Sequence, residues 1–211
     1  MRALVIYCHP KEGSFTSAVR DTVLDRLAAA GVDVRLRDLY ASGFQPVLTS
    51  QELGDYLDCP GNRLPVESYV QDVEWCDTLI FIYPTWWYGL PAMLKGWLDR
   101  VLLPDVAFVM PQSEGDNIKP GLTHITRLGV FTTCGASWWL TRLIGAPGKR
   151  MLLRGVGLLL APRAKKAFAA HYLMDSAKRS ELEAHLRKVA AKTDALIGAT
   201  PRPQLGGAPA Q

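Results

Sequence analysis

The sequence of 211 residues predicts an α/β fold in which helices cover both faces of a five-stranded parallel sheet. Two observations predict it. Short apolar runs at residues 3–7 and 78–83 have no polar alternation, which is typical of strands buried on both faces. Segments with helical spacing of apolar residues separate the runs, and strands that alternate with helices form parallel sheets.

The first elements follow from local signals. The strand at residues 3–7 is followed by a polar loop, and Ser14 is placed to cap a helix that runs to about residue 30 and ends at Gly31. Residues 32–36 alternate in polarity and predict a more exposed strand. Residues 38–65 are irregular and rich in Pro and Gly, so we expect a long functional loop with room for one helical turn.

The later elements follow in the same way. Pro91 is placed to open a helix that runs to about residue 102, and Pro147 to open one that runs to about residue 160. The other predicted elements are a helix at 66–76, strands at 78–83, 128–132 and 168–173, loops at 84–89 and 133–145, and a charged amphipathic helix at 180–196. The chain is expected to form one domain, residues 1–199, before a disordered tail at 200–211 that is rich in Pro, Gly and Ala.

Composition and charge limit the classes of function that the chain can have. A scattered net charge of +4 does not indicate nucleic-acid binding, although it suits anionic ligands as well as plain solubility. The four cysteines have neither zinc-ligand spacing nor a C-x-x-C pair, so we expect free thiols and no metal site. The apolar start is too short for a signal peptide, and the longest apolar run, residues 156–161, is too short for a bilayer span. We therefore expect a soluble, cytoplasmic protein.

Three unusual loops leave the carboxyl ends of predicted strands, where open parallel sheets bind ligands. The first contains His9, Ser14, Phe15 and Thr16 at a helix N-terminus, where free N–H groups favour a phosphate. A merely capped helix is the alternative interpretation. The loop is neither a Walker loop nor a G-x-G-x-x-G motif.

The second loop reads Pro84, Thr85, Trp86, Trp87 and Tyr88, and its last three residues are consecutive aromatic residues. They are suited to form a rigid wall for a flat ligand, with an oligomer interface or local core as the alternative.

The third loop contains Thr132, Thr133, Cys134 and Gly135, small residues that let backbone approach a ligand closely. Together the loops predict a phosphate cradle and two walls around a planar aromatic ring, which points to a flavin nucleotide.

The segment Tyr83–Val101, which reads YPTWWYGLPAMLKGWLDRV, resembles the pattern P-x-x-W-[FY]-x-x-P-x-x-L-K-x-[WF] of the NAD(P)H:quinone oxidoreductase family. His9 with Ser14-Phe15, Asp38-Leu39-Tyr40 with Phe44 and Pro46, and Thr132-Thr133-x-Gly135 resemble further family motifs. The resemblance covers about residues 3–196. It implies a flavodoxin-like fold and a flavoenzyme that reduces quinones or similar acceptors with NAD(P)H, by two-electron transfer in a ping-pong cycle.

The resemblance also implies roles for individual residues. His9, Phe15 and Thr16 would hold the phosphate arm of the flavin, Thr85 to Tyr88 would lie along its ring, and Thr132 to Gly135 would close the other side. A homodimer is implied, with Trp86 or Trp87 facing the partner subunit. The length of the 38–65 loop favours FAD over FMN.

The sequence departs from the family at two places. Cys134 replaces the first glycine of the third loop, and residues 137–145 lack the tyrosine and histidine that mammalian quinone reductase has there. No catalytic acid is therefore assigned. His124 and His171 are interpreted as surface or packing residues. Arg142, Lys149 and Arg150 could balance flavin or nicotinamide phosphate charge, although exposed cations usually have no such role.

Three other functions remain open. A flavodoxin-type electron carrier would have no NAD(P)H activity of its own, and such carriers tend to be strongly acidic, unlike this chain. A regulatory flavoprotein subunit of a membrane transporter is a second alternative. A structural protein without flavin would leave the tryptophan-rich loops without a purpose.

Overall fold

The computed structural model describes residues 1–111, 113 and 115–199. The predicted disordered tail, residues 200–211, lies outside the described residues. No helix within the described part combines the length and the apolar character that a membrane span requires.

A five-stranded parallel sheet with the strand order β2-β1-β3-β6-β7 forms the centre of the fold, which confirms the predicted fold class. Its strands are β1 (Arg2–Tyr7), β2 (Asp33–Asp38), β3 (Thr78–Thr85), β6 (Arg127–Cys134) and β7 (Lys165–His171). A short antiparallel pair, β4 (Phe108–Val109) and β5 (Lys119–Pro120), was not predicted from the sequence. The exposed pattern of β2 agrees with the more exposed strand predicted at residues 32–36, and β2 lies at the edge of the sheet.

Helices cover both faces. They are α1 (Phe15–Ala29), α2 (Ser50–Gly54), α3 (Glu67–Trp75), α4 (Ala92–Val101), α5 (Trp138–Leu143), α6 (Pro147–Arg150) and α7 (Arg179–Ile197). Alternate residues of β1 face opposite cores: Val5 packs with residues of α1 and α7, and Ile6 packs with residues of α3 and α4. Both faces of the sheet are therefore buried from solvent, which explains the uninterrupted apolar runs.

Two predicted segments differ from the structure. Residues 133–145 were expected to be a loop, but Trp138–Leu143 is helical, with the Ser137 hydroxyl accepting a hydrogen bond from the N–H of Leu140 at 3.2 Å. The helix expected from Pro147 to about residue 160 changes form after Arg150, into a π-helical turn (Met151–Gly155) and a 3₁₀ turn (Val156–Leu158). Gly155 and Gly157 weaken regular helix there, and the Lys166 ammonium donates to the Leu153 carbonyl at 2.8 Å.

The irregular segment between β2 and α3 is tied to α4. As predicted, it contains a single short helix, α2, together with a 3₁₀ turn at Gly61–Val66. The buried Arg100 guanidinium donates to the Glu52 carboxylate at 2.8 Å and to the Gln45 carbonyl. The partnership with Arg100 and with Thr49 lowers the pKa of Glu52 against the opposing effect of burial. An ion pair and a carbonyl contact thus fix this long connection to the body of the protein.

Candidate active site

The three loops meet at the carboxyl edge of the sheet, as predicted. In the sheet register Tyr83 lies beside Thr132, and Thr133 lies beside His171, so β3, β6 and β7 end at the same level. Hydroxyl pairs join the loops: Thr85 Oγ1 lies 2.8 Å from Thr132 Oγ1, and Thr16 Oγ1 lies 3.2 Å from Thr133 Oγ1. The loops therefore form one connected rim around a cavity.

The cavity between the loops has a volume of about 780 Å³, within the range of roughly 300–1,000 Å³ that is usual for ligand and cofactor sites. Nine of the thirteen predicted site residues line it: His9, Pro84, Thr85, Trp86, Trp87, Tyr88, Thr133, Cys134 and Gly135. The lining also includes Ala136, Thr141, Met174 and Asp175, which were not predicted.

The four remaining predicted residues lie behind this lining. Ser14 caps α1, and its hydroxyl accepts from the N–H of Ser17 at 3.1 Å. Thr16 and Thr132 are buried and make the hydroxyl pairs that join the loops. The Phe15 ring packs against His171 and His185 instead of facing the cavity, with centroid distances of 5.5 and 5.9 Å.

The aromatic wall rests on an unusual turn. The Gly89 N–H donates to the Trp86 carbonyl at 2.9 Å, and the two residues between them have positive φ, 48° at Trp87 and 61° at Tyr88. This is the pattern of a type I′ turn, which normally selects Asn-Gly because side chains strain it. The Trp87 side chain is 96% exposed and that of Trp86 is 42% exposed. The turn thus exposes the large apolar side chains of Trp86 and Trp87 to solvent at the mouth of the cavity.

His9 completes the wall on the side of the first loop. Its ring centroid lies 6.5 Å from that of Trp86, and the Lys11 N–H donates to its Nδ1 at 3.0 Å. Burial lowers the pKa of His9 and so favours the neutral form of the ring. The same Nδ1 atom lies 3.1 Å from the Lys11 carbonyl oxygen, so the backbone of the first loop fixes the orientation of the ring.

Cys134 is buried in the opposite wall, and burial raises the pKa of its thiol. A protonated thiol is a poor nucleophile, so the cysteine acts here as a small apolar wall residue. Next to it, a Cβ on Gly135 would lie 3.1 Å from the Asp175 carboxylate. The Asp175 carboxylate therefore lies over this glycine. The Leu173 N–H donates to the Ala136 carbonyl at 3.3 Å, which joins the turn after β7 to the turn after β6.

Behind the first loop, two buried histidines pack edge to face with ring centroids 5.1 Å apart. His171 Nδ1 and His185 Nε2 have no hydrogen-bond partner among the described residues. Burial, with smaller contributions from His171 and Lys188, lowers the pKa of His185 from 6.5 to about 4. Burial also lowers the pKa of His171, although Glu181 opposes the shift. Both rings are therefore packed as neutral groups, in agreement with the packing role predicted for His171.

This pair predicts a loss of stability in acid. The unfolded chain protonates His185 near pH 6.5, whereas the folded chain resists protonation until about pH 4, so the free energy of unfolding falls as the pH falls through this window. Between pH 7 and pH 4.5 this difference corresponds to a loss of about 2–3 kcal/mol. Urea unfolding at pH 7, 5.5 and 4.5 measures it. His185→Leu should flatten the dependence, and His124→Gln, a change at an exposed histidine, should leave it. An equal slope in His185→Leu would contradict the assignment.

The strand order β2-β1-β3-β6-β7, with the cavity at the carboxyl edge, defines the class of flavodoxin-like α/β proteins. The chain belongs to the flavodoxin-like fold family, because the family model described as "Flavodoxin-like fold" matches residues 1–192. The chain is 33% identical over 123 residues to NAD(P)H dehydrogenase (quinone) 1 of Cavia porcellus, which covers 51% of this chain and 45% of that protein. The chain spans about half the length of the curated relatives it matches.

Solved structures agree on the fold. Smu.1420 from Streptococcus mutans UA159 is 28% identical, with a TM-score of 0.77 over 92% of this chain and 100% of that chain. The FMN-dependent NADH-azoreductase from Bacillus anthracis, solved in complex with FMN, is 13% identical, with a TM-score of 0.71 over 92% of this chain and 98% of that chain. The azoreductase likeness shows the fold alone. The similarity to NAD(P)H dehydrogenase (quinone) 1 confirms the sequence resemblance to quinone reductases.

Proposed function

We propose that this protein is a flavin-dependent NAD(P)H oxidoreductase that reduces quinones or similar acceptors by two-electron transfer. The observation that carries the proposal is the cavity itself: an open site of about 780 Å³ with an exposed aromatic wall on one side and small residues on the other. The name of the Cavia porcellus relative supports NAD(P)H as donor and a quinone as acceptor.

The residues present fit a flavin nucleotide. The backbone N–H groups of Phe15 and Thr16, at the start of the 15-residue α1, have no protein acceptor among the described residues and can receive a phosphate. Trp86 and Trp87 offer apolar faces for the ring, and Thr133 to Gly135 offer close backbone approach. The bound flavin would supply hydride acceptance and donation. The protein residues would orient the ring and exclude water from one side of it.

We propose that NAD(P)H and the acceptor occupy this cavity in turn, which gives ping-pong kinetics. FAD was predicted from the length of the 38–65 segment, with FMN as the alternative. None of the described residues between Asp38 and Pro65 lines the cavity, so this segment offers no contact that favours FAD. The retention time of the flavin released from denatured protein decides between the two.

We further propose a homodimer that works in the cytoplasm. Trp138, Trp139 and Leu143 of α5 are 55%, 64% and 66% exposed, and Thr141 of the same helix lines the cavity together with the aromatic wall. Several large apolar side chains exposed on one helix are typical of a protein interface, and a second copy would cover them. The four cysteines are free thiols, which suits a reducing compartment.

An anaerobic visible spectrum tests the oxidoreductase function. The flavin band of the flavin-supplemented protein should bleach rapidly after one equivalent of NADPH or NADH and return after addition of benzoquinone. Free flavin at the same concentration is the control and should bleach far more slowly. Bound flavin that neither nucleotide bleaches would favour an electron carrier or a regulatory subunit. Absence of bound flavin would contradict the site assignment.

A further inference from the structure

A second cavity, of about 220 Å³, adjoins the first, and both include Thr141 in their linings. Its walls come from α5, α6, the π-helical turn and the residue after β7. The lining residues are Trp138, Thr141, Arg142, Gly145, Ala146, Lys149, Arg150, Leu153, Arg154 and Tyr172. We call this space the basic pocket.

The basic pocket contains four cations and no acidic residue among the described residues that line it. None of the four, Arg142, Lys149, Arg150 and Arg154, forms a salt bridge with a described carboxylate. Elsewhere in the fold arginines pair readily with acids, for example Arg26 with Asp194 at 2.8 Å. Like charges crowded around a small space repel one another, so an anionic ligand would stabilise this arrangement.

Three of the cations are positioned by contacts that leave their charge uncompensated. The Arg142 guanidinium lies 5.6 Å from the Trp138 ring centroid, and the Lys149 ammonium lies 4.5 Å from that of Phe168. The Arg150 guanidinium folds over Gly145, where a Cβ would lie 3.2 Å from Nη1. Gly145 has a φ of +95°. The absence of a side chain therefore permits this backbone conformation and also leaves room for the Arg150 guanidinium.

We propose that the basic pocket binds the 2′-phosphate of NADPH and makes NADPH the preferred electron donor. A phosphate monoester carries close to two negative charges at pH 7 and accepts paired hydrogen bonds from guanidinium groups. Trp138 and Tyr172 line the same space and offer flat faces for the adenine. NADH lacks the 2′-phosphate, so its adenosine ribose would bring no charge to the four cations. The assignment rests on the proposed function, because it names the donor used at that site.

The flavin has a phosphate as well, and the position of the pocket argues against it as the occupant. No residue of the first loop or of α1 lines the basic pocket, whereas the free N–H groups proposed for the flavin phosphate are at the start of α1. The two phosphate sites are thus formed by different elements, and a donor nucleotide bound in the main cavity can reach the basic pocket past Thr141.

Titration calorimetry of the flavin-loaded protein with 2′,5′-ADP and with 5′-AMP tests the pocket without turnover. The protein should bind 2′,5′-ADP at least tenfold more tightly than 5′-AMP. Arg142→Gln/Arg150→Gln should remove this preference while changing the affinity for 5′-AMP little. The control Arg187→Gln/Lys192→Gln removes two exposed charges of α7 and should keep the preference. Equal affinities in the unmodified protein, or a preference that survives in Arg142→Gln/Arg150→Gln, would overturn the proposal.

Two further readouts separate the alternatives. Excess FMN is added as a competitor of 2′,5′-ADP. If FMN displaces 2′,5′-ADP from the flavin-loaded protein but not from Arg142→Gln/Arg150→Gln, the pocket belongs to the flavin phosphate and the NADPH assignment is overturned. In steady-state kinetics the ratio of kcat/KM for NADPH to that for NADH should fall at least tenfold in the same variant. A calorimetric preference without any bleaching by NADPH would retain the phosphate site while rejecting the proposed oxidoreductase function.

Discussion

Gly96→Ala is expected to lower the free energy of unfolding by about 3 kcal/mol, because α4 touches the backbone of the 38–65 segment at this residue. A Cβ on Gly96 would lie 2.1 Å from the Pro46 carbonyl oxygen and 2.5 Å from its Cα. Neither atom is at the end of a flexible side chain, so helix and segment would have to separate. Helix propensity alone favours Ala over Gly by about 1 kcal/mol in a helix interior. The expected loss of stability is therefore opposite in sign to the change that helix propensity alone predicts.

Urea unfolding monitored by far-UV circular dichroism measures the loss. Gly54→Ala is the matched control, because Gly54 ends α2 and a Cβ there would meet nothing within 4 Å. The control should leave stability unchanged or raise it slightly. Separation of the segment would also strain the Arg100 contacts with Glu52 and Gln45, so the loss should exceed that of an ordinary overpacked position. Equal stabilities of the two variants would contradict the packing argument.

The sheet could be predicted from the sequence because its signals are local. Residues 3–7 and 78–83 lie in strands buried on both faces, and such strands have no polar alternation. The helix α5 could not be found by periodicity, since six residues make less than two turns. Its capping residue, Ser137, was the available signal. The breakdown of regular helix after Arg150 coincides with two glycines, which are local signals, and with the hydrogen bond from Lys166 to Leu153, which only the fold provides.

The candidate site was predicted in outline for the same reason. Loops after β1, β3 and β6 follow strong strands, and the open parallel sheet brings their ends together. Met174 and Asp175 were missed because the turn after the less apolar β7 was not considered, although it leaves the same edge of the sheet. The sequence singled out Arg142, Lys149 and Arg150 as cations that could balance flavin or nicotinamide phosphate charge, but not Arg154, and only the fold shows that all four line one pocket.

The second large effect is expected at the aromatic turn, where stability and binding should change in opposite directions. Trp87→Asn/Tyr88→Gly gives the type I′ turn its preferred residues. Left-handed backbone at a non-glycine residue costs about 1–3 kcal/mol, so the free energy of unfolding of the flavin-free protein should rise by about 1–3 kcal/mol. The variant also removes the exposed Trp87 ring and the Tyr88 ring from the cavity wall. Aromatic stacking on one ring contributes about 1–3 kcal/mol, so the loss of even one stacking ring should lower the affinity for flavin roughly 10- to 100-fold.

Arg163→Gly is the matched control for this turn, because Arg163 also has a positive φ, 66°, and lies outside the cavity lining. It should raise stability in the same way without changing flavin affinity, measured by quenching of flavin fluorescence. Trp86→Ala, which keeps the turn and removes only the ring facing His9, should weaken flavin binding without the gain in stability. A Trp87→Asn/Tyr88→Gly variant that became more stable and kept full flavin affinity would show that the strained turn serves another purpose. If Trp86→Ala and Trp87→Ala both retained full flavin and full turnover, the assignment of these rings to the flavin wall would be wrong. The strain in this turn is therefore explained as the cost of presenting aromatic rings to a ligand, and the paired measurement of stability and binding tests that explanation directly.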